Sequence, residues 1–188
     1  MTQIILQTIK ELNEWKLSNQ KSISFVPSMG NLHLGHKELI REAKNLKENF
    51  VLLSIFINPL QFNDKEDLKN YPRTINKDID LAFAAGADAI FIPNIDEIFP
   101  TNEKKINYLK ASEQLSKTLC GINRKGHFDG VCTVVKRLIN IVKPEVIFLG
   151  EKDWQQLLIT LGECVLSIAS LISDTNSLPA SISTPDVL

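Results

Sequence analysis

Four short apolar runs, at residues 23–26, 51–57, 89–92 and 146–149, punctuate this chain, and the segments between them carry helical periodicity at 36–47, 79–85 and 131–141. A strand covered on both faces reads as a continuous apolar run, whereas a half-exposed strand alternates, so the pattern predicts a parallel sheet sandwiched by helices. Val131, Val134, Val135, Leu138 and Ile141 fall at the spacing of one helical face. Strand alternating with helix, without an internal repeat, predicts an α/β domain: a Rossmann-like, doubly wound parallel sheet with right-handed crossovers and its site at the strand carboxyl ends.

The first of those runs ends in Pro27-Ser28-Met29-Gly30-Asn31-Leu32-His33-Leu34-Gly35-His36, a strand end, a tight turn and two histidines three residues apart at the start of a helix. The first N–H groups of a helix lack intrahelical partners and sit at the positive end of its dipole, so anions settle there. Residues at i and i+3 share a face, which lets His33 and His36 turn toward one polyphosphate past the bare Gly35. The dipole disfavours an imidazolium at His36 and a phosphate favours it, and spacing leaves that balance open. A His-x-x-His pair alone also fits two exposed histidines or half a metal site; the preceding strand, Gly30 and Gly35 favour a nucleotide.

At 188 residues the chain has room for one domain with a substantial core, and 44% apolar with 23% charged residues is ordinary for a folded protein. A formal net charge of -1 gives no general pull toward nucleic acid or an anionic membrane, so partners are expected to be small molecules. The run Met1-Thr2-Gln3-Ile4-Ile5-Leu6-Gln7 lacks a basic segment followed by a long apolar one. No apolar run approaches the roughly 20 residues that span a bilayer, and a cytoplasmic location is expected. Cys120, Cys132 and Cys164 have neither disulfide nor zinc spacing and read as reduced packing residues, with no metal held by the protein itself.

His33-Leu34-Gly35-His36 resembles the HxGH signature of the nucleotidylyltransferase superfamily, and Pro27-Ser28-Met29-Gly30 with Leu32 narrows the resemblance to pantothenate synthetases. Three further segments bear on it. Phe56-Ile57-Asn58-Pro59-Leu60-Gln61-Phe62 closes the second apolar run, and its two neutral amides offer donors and acceptors without adding charge, although an Asn-Pro pair is also a common turn starter. The segment is similar to the family's, where the corresponding Asn and Gln hold pantoate, and Tyr71-Pro72-Arg73-Thr74 also fits the family.

Gly121-Ile122-Asn123-Arg124-Lys125-Gly126-His127-Phe128 is a basic, glycine-containing loop that enters a helix, with Arg124 and His127 spaced to close over a polyanion, or simply a solvated loop. It resembles the family's RPGHF stretch, with Lys125 where proline is more usual, a substitution that loosens the loop. Gly150-Glu151-Lys152-Asp153-Trp154-Gln155-Gln156 follows the fourth run; Gly150 permits close approach of a ligand, Lys152 supplies a compact positive charge, and Asp153 can cap the next helix or take ribose hydroxyls.

The family's reaction transfers AMP from ATP to the pantoate carboxylate and then lets the β-alanine amine displace AMP. The resemblance implies that His36, Lys152, Arg124 and a Mg²⁺ ion offset charge on the triphosphate, with His33 and Met29 framing the nucleotide and the reacting carboxylate. It implies ATP contacts from Pro27, Met29, Gly30, His33, Gly35, His36, Gly150, Lys152 and Asp153, and pantoate contacts from Met29, Asn58, Gln61, His127 and Gln156. A homodimer is also implied.

After Gln156 the chain departs from the family, which continues through another strand, a Ser-Ser-Arg-Asn-like loop and a smaller helical domain that lids the site. Here an apolar stretch, residues 161–172, leads into a Ser-rich end, residues 173–188, without a Lys or Arg. The expected organisation is a nucleotide- and pantoate-binding domain over 1–160 and an atypical tail over 161–188, helical to about residue 172 and then disordered. An altered reading frame or truncated gene is preferred over a divergent tail, with impaired turnover as the consequence. A catalytically inactive nucleotide-binding fragment and another HxGH nucleotidylyltransferase are the alternatives.

Overall fold

The computed structural model describes residues 3–46, 48–101, 108–160 and 162. Five strands, β1 (Ile4–Leu6), β2 (Ile23–Ser28), β3 (Phe50–Ile55), β4 (Ala89–Phe91) and β5 (Val146–Ile147), form one sheet in the order β1-β4-β3-β2-β5. Every pairing is parallel, as the continuous apolar runs require. The helices are α1 (Ile9–Ser18), α2 (Leu34–Asn45), α3 (Lys65–Asn70), α4 (Ile75–Ala85), α5 (Ile95–Ile98), α6 (Glu113–Ser116), α7 (His127–Val142) and α8 (Trp154–Thr160). No helix among the described residues is long and apolar enough to cross a membrane.

Alternating residues of each strand feed opposite sides of the sheet. Phe25, Leu52 and Phe91 pack with Leu12 and Trp15 of α1 and with Val131, Val135 and Leu138 of α7. Val26, Val51, Leu53 and Ile90 pack with Ile40 and Ala43 of α2 and Ala82 and Ala85 of α4. The result is the expected three-layer α/β domain, with Cys132 buried in the first of these clusters. Cys164, the side chain of Cys120, and the expected tail over 161–188, Gly162 excepted, lie outside the described residues.

Strand β1 and helices α1, α3, α5 and α6 are additions to the sequence reading. Strand β1 pairs with β4 at the sheet edge, and α1 follows it through a reciprocal cap: Glu11 N–H donates to Thr8 Oγ1 at 3.1 Å and Thr8 N–H to Glu11 Oε2 at 3.1 Å. The expected strands also run shorter, β3 ending at Ile55 and β5 at Ile147, because the chain turns there into the segments that build the site.

The winding fixes where a ligand can sit. From β2 the chain proceeds through α2 to β3 and β4 on one side, then returns through α7 to β5 on the other side of β2. This reversal opens a crevice beyond the carboxyl ends of β2 and β5. Pro27 marks its mouth. Odd-numbered residues of β2 turn their polar groups toward β5, as Ile23 and Phe25 do in accepting from Glu145 N–H at 3.0 Å and Phe148 N–H at 2.8 Å. Beyond Phe25 the β5 register ends, so the N–H that Pro27 lacks is not needed by a neighbouring strand.

Candidate active site

A cleft of about 710 Å³ occupies this crevice, a size suited to a small-molecule ligand. Its wall takes Pro27, Met29, Gly30, His33, Gly35 and His36 from the β2–α2 connection, Asn58 and Gln61 from the turn after β3, and Gly150, Lys152, Asp153 and Gln156 from the segment after β5. Segments separated by more than a hundred residues thus converge, as their spacing along the chain predicts. Arg124, exposed, and His127, buried, lie outside the lining.

The two histidines cap the helix that carries them. His33 is the N-cap of α2, its Nδ1 accepting from Gly35 N–H at 3.1 Å, while His36 Nδ1 accepts from His33 N–H at 3.3 Å; the rings stack at 4.2 Å, tilted by 49°. An Nδ1 that accepts cannot carry the proton, so the geometry assigns both rings the Nε2–H tautomer, the remaining N–H being available to a ligand. A Cβ at Gly35 would stand 3.0 Å from His33 Cε1, so this glycine keeps room for the capping ring as well as for a ligand.

Burial, reinforced by the neighbouring His33 and Lys152 charges, pushes the His36 pKa down to about 4, against the opposing pull of Asp78 and Asp153. The free protein therefore holds His36 neutral at pH 7, with burial as the main cause. Because the folded value lies below the ordinary one of 6.5, the folded state binds fewer protons, and this contribution to stability is fully present above about pH 6.5 and lost as pH falls toward 4. Urea unfolding from pH 7 to 4.5 is expected to show a steeper acid loss for the parent chain than for His36→Gln. Parallel pH profiles would contradict the assignment.

The loop that presents these rings is held by a residue that sequence reasoning missed. Asp78, on α4 and 2% exposed, accepts from Asn31 N–H at 3.0 Å, Leu32 N–H at 2.7 Å and the Thr74 hydroxyl at 3.0 Å. The loop needs such a clamp because Gly30 and Asn31 both adopt positive φ, 82° and 50°. Glycine is required at the first: a Cβ there would meet Asp78 Oδ2 at 3.1 Å and Ile55 Cγ2 at 3.2 Å.

The amide side is equally constrained. Asn58, 1% exposed, donates from Nδ2 to Gln61 Oε1 at 3.1 Å and to Gly130 O at 3.1 Å, and its Oδ1 accepts from Leu60 N–H at 3.2 Å. Its amide is thus largely spent on the protein. The consequence falls on Gln61: with Oε1 accepting from Asn58, its Nε2 donors are the part left for the cleft. His127 Nδ1 lies 2.7 Å from Gln61 O, which assigns this ring the opposite tautomer and makes it a support for the Gln61 backbone; burial holds it below the usual imidazole range. Beside the amides, Phe56, Val131, Val134, Val135 and Leu138 give the cleft an apolar wall.

After β5, Gly150 precedes a 3₁₀ turn, Glu151–Asp153, with Lys152 Nζ 3.9 Å from Asp153 Oδ1 and both side chains mostly exposed. Gly150 has φ −80°, and a Cβ on it would only touch Leu39 Cδ1 at 3.6 Å, so the free fold does not demand glycine there. Gln156, on the first turns of α8, completes the wall. The whole arrangement sets imidazole N–H groups and an ammonium at one helix entrance and neutral carboxamides with an apolar wall nearby, which suits a polyanion held beside a polar, branched organic acid.

Comparison with known proteins places the chain in a family. The family model of pantoate-beta-alanine ligase matches residues 4–169. The bifunctional pantoate ligase/cytidylate kinase of Prochlorococcus marinus subsp. pastoris is 58% identical over 159 residues, covering 85% of this chain and 31% of that protein. Pantothenate synthetase from Thermus thermophilus superposes with a TM-score of 0.79 at 38% identity, covering 88% of this chain and 58% of its own. Pantoate-beta-alanine ligase from Francisella tularensis, solved with beta-gamma ATP and beta-alanine, superposes with a TM-score of 0.78 at 36% identity, covering 92% and 63%. The chain thus spans less than a third of the bifunctional relative and less than two thirds of either solved structure.

Proposed function

The chain belongs to the pantoate-beta-alanine ligase family, and from that premise we propose that it joins pantoate to β-alanine, first making pantoyl adenylate from ATP and pantoate and then releasing AMP as the amine attacks. The observation that carries this reading is the meeting, in one cleft at the sheet's switch point, of the His33–His36 pair and Lys152 with Gln61, Gln156 and an apolar wall. A triphosphate fits the former and a small hydroxy acid with a branched carbon skeleton fits the latter. The presence of beta-gamma ATP and beta-alanine in the Francisella relative supports the same substrates here.

Adenylation must bring two anions together. Like charges about 4 Å apart repel by about 4 kcal/mol at an effective dielectric near 20, so the site's main task is to neutralise and align. His33 and His36 offer Nε2–H groups and the α2 entrance to the phosphates, Lys152 adds a full charge, and Asp153 is placed for ribose hydroxyls. Gln61 and Gln156 hold pantoate through uncharged donors, so the carboxylate remains a nucleophile. A carboxylate oxygen then attacks the α-phosphorus and pyrophosphate leaves; no side chain forms a covalent bond.

Phosphate beside His36 reverses the pressure that keeps it neutral, so nucleotide binding is accompanied by proton uptake. In NMR titrations the His36 resonance is expected to move from a midpoint near pH 4 in the free chain to a higher one with ATP. An unchanged midpoint would remove His36 from the phosphate site.

Among the described residues no group of three or more His, Cys, Asp or Glu side chains could hold a metal by itself. Glu151, a carboxylate in the cleft wall, would be the group to hold a Mg²⁺ brought in with the nucleotide. Mg²⁺ would supply charge neutralisation on the polyphosphate. Arg124, outside the cleft wall, contributes in this reading only through movement of its loop, and the homodimer implied by the resemblance and the cytoplasmic location expected from the sequence remain part of the same proposal.

A second reading, a nucleotide binder that does not turn over, is favoured by one observation: residues 153–188 contain no Lys or Arg to meet the departing pyrophosphate. One assay separates the two. Pantoate-dependent pyrophosphate release followed by AMP release on adding β-alanine establishes the full reaction, pyrophosphate release alone establishes the half-reaction, and ATP binding without either product establishes the inert binder.

A further inference from the structure

Tyr71 stands in the cleft wall without a role in the account above. Its ring is half-buried and held edge-on by Phe62, the neighbour of Gln61, at 5.5 Å and 78°. Its backbone is fixed by Arg73, whose guanidinium donates to Leu68 O at 3.1 Å, Lys69 O at 2.9 Å and Tyr71 O at 3.0 Å. Three bonds to the end of α3 occupy Arg73 locally, which makes it an anchor for the tyrosine rather than a phosphate ligand. The next residue, Thr74, bonds to the Asp78 carboxylate that clamps the His33 loop.

Tyr71 is therefore tied at one edge to the amide side of the cleft and through Thr74 to the histidine side. The carboxylate of pantoate and the α-phosphate of ATP must meet between those sides. We propose that Tyr71 is a catalytic residue of adenylation, its phenol donating a hydrogen bond to an α-phosphate oxygen while the carboxylate attacks. The role rests on the reading of the cleft as a pantoate and ATP site.

Burial, with the negative charges of Asp78 and Asp153 adding to it, holds the phenol above its ordinary pKa, so it stays protonated and able to donate. In the step, a carboxylate oxygen forms a bond to the α-phosphorus, the bond from that phosphorus to the bridging oxygen breaks, and the electron pair leaves with pyrophosphate. Tyr71 keeps its proton throughout. A neutral donor suits this position because a cation there would grip the pantoate carboxylate and blunt its attack.

Tyr71→Phe keeps the ring and its contact with Phe62 and removes only the hydroxyl. Two quantities are measured on the parent and variant chains: the affinity for ATP, and the affinity for a non-hydrolysable sulfamoyl analogue of pantoyl adenylate. The expected result is an ATP affinity within about twofold and an analogue affinity lowered about tenfold or more, with pyrophosphate release falling by a similar factor wherever the parent turns over. Analogue affinity within about twofold of the parent overturns the role and leaves the site reading intact. Failure of the parent chain to bind either ligand overturns both.

Discussion

Asp78→Ala is expected to lower stability by about 4 kcal/mol and to abolish nucleotide binding, although Asp78 itself touches no ligand in this account. The substitution removes the acceptors of Asn31 N–H, Leu32 N–H and the Thr74 hydroxyl at once. Hydrogen bonds to a charged group contribute about 1.5–3 kcal/mol each, and the acceptor lies 2% exposed, where water does not readily replace it. Released from the clamp, the positive-φ turn at Gly30 and Asn31 keeps only the bond from Gly30 N–H to Ser28 Oγ at 3.3 Å, and the N-cap position of His33 is expected to loosen with it. Asp78→Asn, which keeps one strong acceptor, is expected to retain part of both properties. Urea denaturation and ATP titration check this; an alanine variant that binds ATP like the parent would show that the loop is held by something else.

Gly130→Ala is expected to cost about 3 kcal/mol and to weaken pantoate binding more than ATP binding. A Cβ at position 130 would lie 2.3 Å from Leu60 O and 2.9 Å from Gln61 N, and backbone cannot yield as a side-chain tip can. Helix α7 must therefore back away from the turn after β3. That movement breaks the bond from Asn58 Nδ2 to Gly130 O and loosens the amide that orients Gln61. Gly126→Ala is the control: no atom lies within 4 Å of its Cβ, and only the penalty of its φ of 80° remains, about 1–2 kcal/mol. Thermal unfolding with separate ATP and pantoate titrations distinguishes the two. Equal, small losses for both glycines would contradict the close-approach argument.

The sheet was readable because β2, β3, β4 and β5 each fall in a short, mostly apolar run, interrupted only by Ser24 in β2 and Ser54 in β3, although β5, at the sheet edge, is half-buried. Strand β1 is three residues long at an edge and leaves too little pattern to register, although the Thr8-to-Glu11 spacing that caps α1 was a usable signal for the helix behind it. Most of the residues that the structure brings into the cleft wall were legible because strand-end turns and helix entrances carry local signatures, whereas Arg124 and His127 lie outside that wall. What each residue does with its atoms was not legible.

The two histidines spend Nδ1 on local capping and Asn58 spends part of its amide on Gln61, contacts two or three residues apart that depend on the turn the backbone adopts, while the bond from Asn58 to Gly130 depends on tertiary approach. Asp78 illustrates the limit most clearly. In sequence it is one acidic residue in the first turn of a helix, and its partners Asn31 and Leu32 lie 47 and 46 positions away. A buried carboxylate without a local signature becomes visible only when the loop it holds is seen.

The central claim is that the His33–His36 entrance takes the triphosphate while Gln61 and Gln156 take the hydroxy acid. Co-crystallisation with a non-hydrolysable ATP analogue and pantoate tests it most directly. Phosphate density against the Nε2 atoms of both histidines and within reach of Lys152, with pantoate against the two glutamines and its carboxylate facing the α-phosphate, is the predicted result. A triphosphate bound away from Gly35, or pantoate outside the wall formed by Gln61 and Val134, would contradict it.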